Sequence, residues 1–264
     1  MLAPYLPTGL TLHLTGALGS VPYMTMTLQQ MAVFGITATA NWATQTIQIP
    51  AGTYKPTTYA IESDWSGASY WFSVVALADD ADVELLGLKQ ESLQGDSAII
   101  GIMNQLGVQA TYTGRGFRLT KKPVARNLTV DFTNCPDLAQ TVAVCCAFKG
   151  VSATFTGLES LKIKETNRVV AIQNELRKFG SDLVEVVACE RYEVRPVTAL
   201  ADNPATAGQA VPVQIDTYDD HRMAMAFAPI ALLRPVIIHE PGVVAKSYPS
   251  FWDDFRKIAT VETV

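Results

Sequence analysis

The sequence predicts an α/β protein assembled from a repeated unit, and three observations carry that reading. First, Gly16, Gly87 and Gly157 recur at intervals of 71 and 70 residues, each closing a short alternating segment. Second, four stretches align behind that rhythm: LTLHLTGALGSVPYMTMTLQQMAVFGITAT, ADVELLGLKQESLQGDSAIIGIMNQLGVQAT, VSATFTGLESLKIKETNRVVAIQNELRKFGSDLVEV and PVIIHEPGVVAKSYPSFWDDFRKI. Each reads as a strand, a polar turn and a helix with apolar residues three and four apart. Third, a more apolar helix opened by an aspartate precedes the last three: DWSGASYWFSVVAL, PDLAQTVAVCCAF and DHRMAMAFAPIALL.

Taken in order, the elements have local causes. The first three amphipathic helices run into Gly35, Gly107 and Gly180, the residue type that ends a helix in the left-handed conformation, and a further strand follows. Asp64, Asp137 and Asp220 suit the N-cap of the apolar helices, where a carboxylate accepts backbone N–H bonds and meets the positive end of the helix dipole. Helices apolar on every side belong at the centre of a domain. Pro229, inside the last of them, should kink it or loosen its hydrogen bonding. The segment IPAGTYKPTTYAIESD, with Pro50, Gly52 and Pro56, reads as a connector and puts a domain boundary near Glu62. Residues 1–62 would then be the remnant of one domain and 63–264 most of another. MLAPYLPTG reads as the last turn of a buried helix whose capped start is absent, and the last unit stops after its second helix. The chain is therefore expected to be a piece of a longer protein.

Composition narrows the function. Of 264 residues, 48% are hydrophobic and 17% charged, enough apolar material for a sizeable core. A net charge of −5 argues against a nucleic-acid binder with a broad basic surface, though not against a local cationic pocket for a small anion. The four cysteines show no metal-ligand spacing and read as reduced and mostly buried. No signal peptide is visible, and the apolar run from Met223 to Leu233 is too short to span a membrane, so a cytoplasmic protein is expected.

The charges gather at helix ends. Lys164, Glu165 and Arg168 read as the first turn of the third amphipathic helix, with Lys164 and Arg168 on one side and free backbone N–H groups facing the same way. Such a terminus can hold a phosphate or carboxylate. One cluster alone is equally well a solvated, capped helix end. Equivalent places in other units, however, carry Asp137, the run Asp220-His221-Arg222, Lys246, and the pair Ser20 and Tyr23. If the units pack around a common axis, these termini converge on one cleft.

Together these residues resemble the EPSP synthase family. The strongest signature is Lys162-Ile-Lys-Glu-Thr-Asn-Arg168, followed by Asp220-His-Arg-Met-Ala224, Lys246-Ser-Tyr-Pro-Ser-Phe251, Ser20-Val-Pro-Tyr23 and Asp137 after its proline. The likeness runs in order along essentially the whole chain. It implies an α/β fold of βαβαββ units around a pseudo-threefold axis, helices inside and sheets outside. It also implies transfer of the enolpyruvyl group of phosphoenolpyruvate to the 5-hydroxyl of shikimate 3-phosphate, releasing phosphate, with no metal or cofactor. By resemblance Glu165 is the proton donor to carbon and Asp137 the carboxylate beside the hydroxyl. Arg168, Arg222 and Lys246 grip phosphoenolpyruvate. Ser20, Tyr23, Asp137, Ser160 and Lys164 contact shikimate 3-phosphate, and His221 lies near the site in an undefined role.

Some positions depart from the pattern. Asn167 replaces a common aspartate, Val21 stands where a basic residue is usual, and Ser63 and Gly67 alter the domain entry. The family's N-terminal motifs have no match, so the resemblance implies a C-terminal portion that is inactive alone, lacks its N-terminal strand and needs the missing part of the same protein. Family members are usually monomeric, whereas exposed strand edges predict self-association of a severed chain. Two alternatives stand beside this: a ligand-binding module that kept the repeat but lost catalysis, and the sister transferase acting on UDP-N-acetylglucosamine, which lacks the Asp-His-Arg-Met-Ala helix start.

Overall fold

The computed structural model describes residues 1–196 and 211–262. Two compact units emerge, one of Met1–Glu62 with Glu91–Gly95, the other of Ser63–Gln90 with Asp96–Val264. The smaller holds β1 (Leu10–His13), α1 (Val21–Val33), β2 (Thr39–Asn41) and β3 (Thr46–Ile49). Its strands lie in the order β1-β3-β2, all antiparallel. Met31 of α1, Ile36, Ile47 and Ile49 form a small core with Ala3. Residues 50–62, the expected connector, carry no regular element.

The larger unit begins with the apolar helix α2 (Trp65–Leu77), then β4 (Asp82–Leu86), α3 (Ile99–Gln105), β5 (Val108–Tyr112) and β6 (Gly116–Lys121). The next copy supplies β7 (Asn127–Asp131), α4 (Ala139–Lys149), β8 (Ser152–Thr156), α5 (Arg168–Arg177), β9 (Asp182–Val187) and β10 (Arg191–Arg195). A last copy contributes β11 (Val213–Ile215), α6 (His221–Phe227), β12 (Val236–Ile238) and the short α7 (Phe251–Phe255). The middle copy reads βαβαββ: β7 runs parallel to β8, and β10 lies antiparallel between β8 and β9. The sheet β4-β6-β5 repeats the order β8-β10-β9, and β11-β12 repeats the parallel pair.

The buried helices α2, α4 and α6 pack against one another at the centre, as their all-round apolar character predicts. Their contacts repeat with the sequence: Ser69 Oγ meets Thr141 Oγ1 at 3.4 Å and Cys145 Sγ meets Ser73 Oγ at 3.1 Å, both pairs 72 residues apart. Lys149 and Lys121 reach the carbonyl of Ala76 at 2.9 and 3.0 Å, closing the negative end of α2 with cations. All six recurrent glycines have positive φ, between 73° at Gly157 and 94° at Gly107. The requirement is firmest at Gly157, where a Cβ would lie 2.3 Å from the Thr133 amide nitrogen. Pro229 behaves as expected: α6 stops at Phe227 and continues as a 3-10 turn over Ala228–Leu232. All four cysteines are free; Cys135, Cys145 and Cys146 are buried and Cys189 is exposed.

Three local expectations fare differently. Asp64 caps α2 by accepting from the amides of Ser66 and Gly67, and Asp220 caps α6 by accepting from Arg222. Asp137 is no cap. It sits within a 3-10 turn, Pro136–Leu138, and its carboxylate turns away to two arginines. Two clefts, of about 620 and 710 Å³, open beside β12 with α7 and beside β4; neither is lined by the charged cluster described next.

Candidate active site

Four segments of the larger unit meet at the N-terminal ends of its helices. Contrary to the first-turn expectation, Lys164 and Glu165 are not in the helix. A 3-10 turn occupies Glu159–Ile163, Lys164 is extended, and α5 starts at Arg168 behind Asn167, whose side chain accepts from the Val170 amide. The capping asparagine fixes the start there. The charged loop ahead of it is free to fold back over its own first residue.

Arg168 is the hub and is buried. Its Nε donates to Asp220 Oδ2 at 2.6 Å, Nη1 to Asp137 Oδ1 at 2.9 Å, and Nη2 to Glu165 Oε2 at 2.7 Å and to Asp220 Oδ1 at 3.3 Å. Asp220, wholly buried, therefore serves two tasks, capping α6 and neutralising Arg168. Asp137 offers its second oxygen to Arg222 Nη2 at 2.9 Å, with Lys164 Nζ at 3.8 Å from the first. Glu165 offers its second oxygen to Lys246 Nζ at 3.0 Å, brought in by the 3-10 turn Pro241–Lys246. The two carboxylates expected to act on the substrates thus share one guanidinium, and the expected cations surround them.

Electrostatics follow from this geometry. Burial pulls the Glu165 carboxyl upward, but its own backbone amide, Lys246 and Arg168 outweigh that and bring it down to about 2. His221 is buried, its Nδ1 3.7 Å from Asp220 Oδ1; burial and then Arg222 lower its pKa, so it is neutral near pH 7. Four cations, Lys164, Arg168, Arg222 and Lys246, face three carboxylates, Asp137, Glu165 and Asp220. Any anion received here would compete with the site's own carboxylates, of which Glu165 is the most exposed. Most of the donors of Arg168 are already engaged by carboxylates.

Ser160 lies in the 3-10 turn ahead of Lys164 and is half-buried. Ser20 and Tyr23 belong to the smaller unit, where Ser20, at φ 55°, leads into α1 and its carbonyl accepts from the Tyr23 amide at 3.0 Å. Asp220 was legible as a cap but not as the partner of Arg168; the signal for a second role is an aspartate followed by histidine and arginine at the mouth of an apolar helix. Among the described residues, no group of three or more His, Cys, Asp and Glu side chains could hold a metal ion.

A family model described as EPSP synthase (3-phosphoshikimate 1-carboxyvinyltransferase) matches residues 1–255. The 3-phosphoshikimate 1-carboxyvinyltransferase of Bacteroides fragilis is 46% identical over 260 residues, covering 97% of this chain and 61% of that protein. That of Idiomarina loihiensis is 33% identical over 261 residues, covering 98% and 58%. The chain thus spans about three-fifths of the length of the curated relatives it matches. Among solved structures, EPSP synthase from Acinetobacter baumannii gives a TM-score of 0.66 at 20% identity, covering 88% of this chain and 53% of that one. The enolpyruvyl transferase NikO from Streptomyces tendae gives 0.59 at 14%, covering 90% and 53%. At such identities these two show the fold alone, and the fold is the one the repeat predicts. With a family model matched along nearly its full length, the chain belongs to the EPSP synthase family.

Proposed function

We propose that this chain carries the acid, the hydroxyl-side carboxylate and the anion-gripping cations of a 3-phosphoshikimate 1-carboxyvinyltransferase. The reaction transfers the enolpyruvyl group of phosphoenolpyruvate to the 5-hydroxyl of shikimate 3-phosphate and releases phosphate. The observation that supports this best is the sharing of Arg168 by Asp137 and Glu165, with Arg222 and Lys246 as their outer partners.

The chemistry asks for a proton on the methylene carbon of phosphoenolpyruvate, which makes C2 electrophilic. The hydroxyl then adds to C2, and the tetrahedral ketal collapses as phosphate leaves and the methyl group returns a proton. Glu165 is the proposed acid. With its carboxyl near 2 it is ionised at neutral pH and cannot donate. A phosphate and carboxylate that engage Lys246 and Arg168 bring negative charge where those cations lowered it, and its pKa rises. Substrate binding thereby arms the acid. Asp137, between Arg168, Arg222 and Lys164, is the proposed acceptor of the hydroxyl proton. Arg168, Arg222 and Lys246 supply fixed positive charge for phosphoenolpyruvate, and Lys164, Ser160, Ser20 and Tyr23 are the proposed contacts of shikimate 3-phosphate.

The proposed domain roles follow: residues 63–264 form the greater part of one catalytic domain and 1–62 part of the other. Among the described residues β4 and β12 each pair on one side only; these edges, with their clefts, are proposed seats for further strands, and turnover is proposed to need the portion of the relatives this chain does not span. A chain with one-sided edges of this kind is expected to self-associate. Among the described residues no helix is long and apolar enough to cross a membrane, and a cytoplasmic location is proposed.

The test is a phosphate-release assay of the 264-residue chain, alone and mixed with the remaining portion of the Bacteroides fragilis relative. Turnover is expected only in the mixture, and Glu165→Gln or Asp137→Asn should abolish it. Calorimetry with phosphoenolpyruvate, weakened by Lys246→Ala, should accompany it. A mixture whose turnover survives both carboxylate substitutions overturns the assignment, and full turnover by the chain alone overturns the need for the remainder.

A further inference from the structure

Arg222 is held at both ends of its guanidinium, and only one holder is a charged residue. Nη2 donates to Asp137 at 2.9 Å; Nη1 donates to the hydroxyl of Tyr70, on α2, at 3.4 Å. The Nε–H is buried and has no partner. A buried guanidinium N–H without an acceptor is costly unless an acceptor arrives, so it points to an anionic group received at this place.

Tyr70 is itself buried, and its ring meets Phe251 edge-on at 6.2 Å, in the segment that follows Lys246. Burial, offset in part by Arg222, pushes its phenol up to about 12, so the group is a neutral hydroxyl throughout the physiological range. A phenylalanine would fill the same space in an apolar helix. What the hydroxyl adds is an acceptor for Arg222, and it adds it without charge. A second carboxylate on this guanidinium would compete with the ligand for the same arginine.

We propose that Tyr70 is a positioning residue of this site: with Asp137 it fixes the plane of the Arg222 guanidinium and leaves Nε–H for the phosphate or carboxylate of the ligand. The inference rests on the reading that Arg222 receives phosphoenolpyruvate.

The test uses the 264-residue chain, its Tyr70→Phe, Arg222→Lys and Lys246→Ala variants, and the Tyr70→Phe/Arg222→Lys double variant. Two measurements are made: calorimetric binding of phosphoenolpyruvate, and solvent exchange of the Arg222 Nε–H followed by nitrogen-edited NMR without ligand. Tyr70→Phe should keep the wild-type circular dichroism spectrum, weaken binding about three- to tenfold and speed Nε–H exchange. Added to Arg222→Lys it should cost nothing more, because its effect passes through the arginine. Wild-type exchange in Tyr70→Phe, or full additivity in the double variant, overturns the proposal. If Arg222→Lys and Lys246→Ala both bind like wild type, the phosphoenolpyruvate reading fails instead, and the exchange rate alone decides whether Tyr70 holds Arg222.

Discussion

Replacing Asp220 by alanine should be among the most destabilising single changes in the larger unit. The side chain is wholly buried, accepts from the Arg222 amide at 2.9 Å, and takes two guanidinium bonds from a buried Arg168 at 2.6 and 3.3 Å. Loss of an N-cap costs about 1 kcal/mol. Breaking a buried ion pair costs about 3–5 kcal/mol because the surviving charge is stranded. Arg168 keeps Asp137 and Glu165, so the lower end of that range applies and the loss should be about 4 kcal/mol. For a domain of this size each kcal/mol moves the melting temperature by about 2–4 °C, which predicts a fall of about 8–16 °C. Asp220→Asn keeps an oxygen for the cap but not the charge, and should lose roughly half as much. Urea unfolding and calorimetry of the three proteins at pH 7 give the numbers. Losses below about 1 kcal/mol for both variants would falsify the claim that Asp220 is the buried counter-charge of Arg168.

Two further outcomes are expected. The Glu165 carboxyl lies below its ordinary 4.5, at about 2, so its ion pairs contribute stability that is fully present above about 4.5 and is lost as pH falls through 2. Acid titration of wild type against Glu165→Gln should show the wild-type advantage shrinking across that window; an advantage constant from pH 6 to 2 contradicts the assignment. Gly157→Ala and Gly16→Ala occupy equivalent positions yet should differ: an added Cβ at Gly157 overlaps the Thr133 amide and Asp131, whereas at Gly16 it meets nothing within 4 Å. Urea midpoints should report about 3 kcal/mol or more at Gly157 and about 1 kcal/mol at Gly16, and equal losses would show that the close approach at Gly157 is not real.

These contrasts mark how far the sequence could be read. Gly16, Gly87 and Gly157 gave the period because a left-handed turn after a strand is a local demand that one residue type meets cheaply. Asp64 and Asp220 were legible as caps for the same reason: aspartate, then an apolar helix. Asp137 wore the same pattern and broke it, because Arg168 and Arg222, 31 and 85 residues away, attract its carboxylate more strongly than backbone amides do. Lys164 and Glu165 misled in another way. Both are good helix formers, and nothing nearby in sequence shows that Asn167 caps the helix behind them. Tyr70 was invisible, since an aromatic in an apolar helix reads as core until Arg222 is seen beside its hydroxyl.

What could not be read was therefore the long-range part, and that part makes the site. Each carboxylate in the cluster is held by a cation from another element: Asp137 by α5 and α6, Asp220 by α5, Glu165 by the turn that carries Lys246. The three copies of the repeat put their helix starts at one end of the larger unit, but the copies are not equivalent there. The middle one brings a lysine, two acids and an arginine; the last brings a buried aspartate, an arginine and a lysine; α2 brings a serine–aspartate contact and a neutral phenol. Symmetry places the groups, and divergence among the copies decides which are charged. An anion arriving among them meets an arginine whose donors are mostly engaged by carboxylates, Arg168, and one with a buried N–H to spare, Arg222. Exposure predicts the order of events for such an anion: Lys246, the most accessible of the four cations, engages first, Arg222 next, and Arg168 follows only as Glu165 releases it.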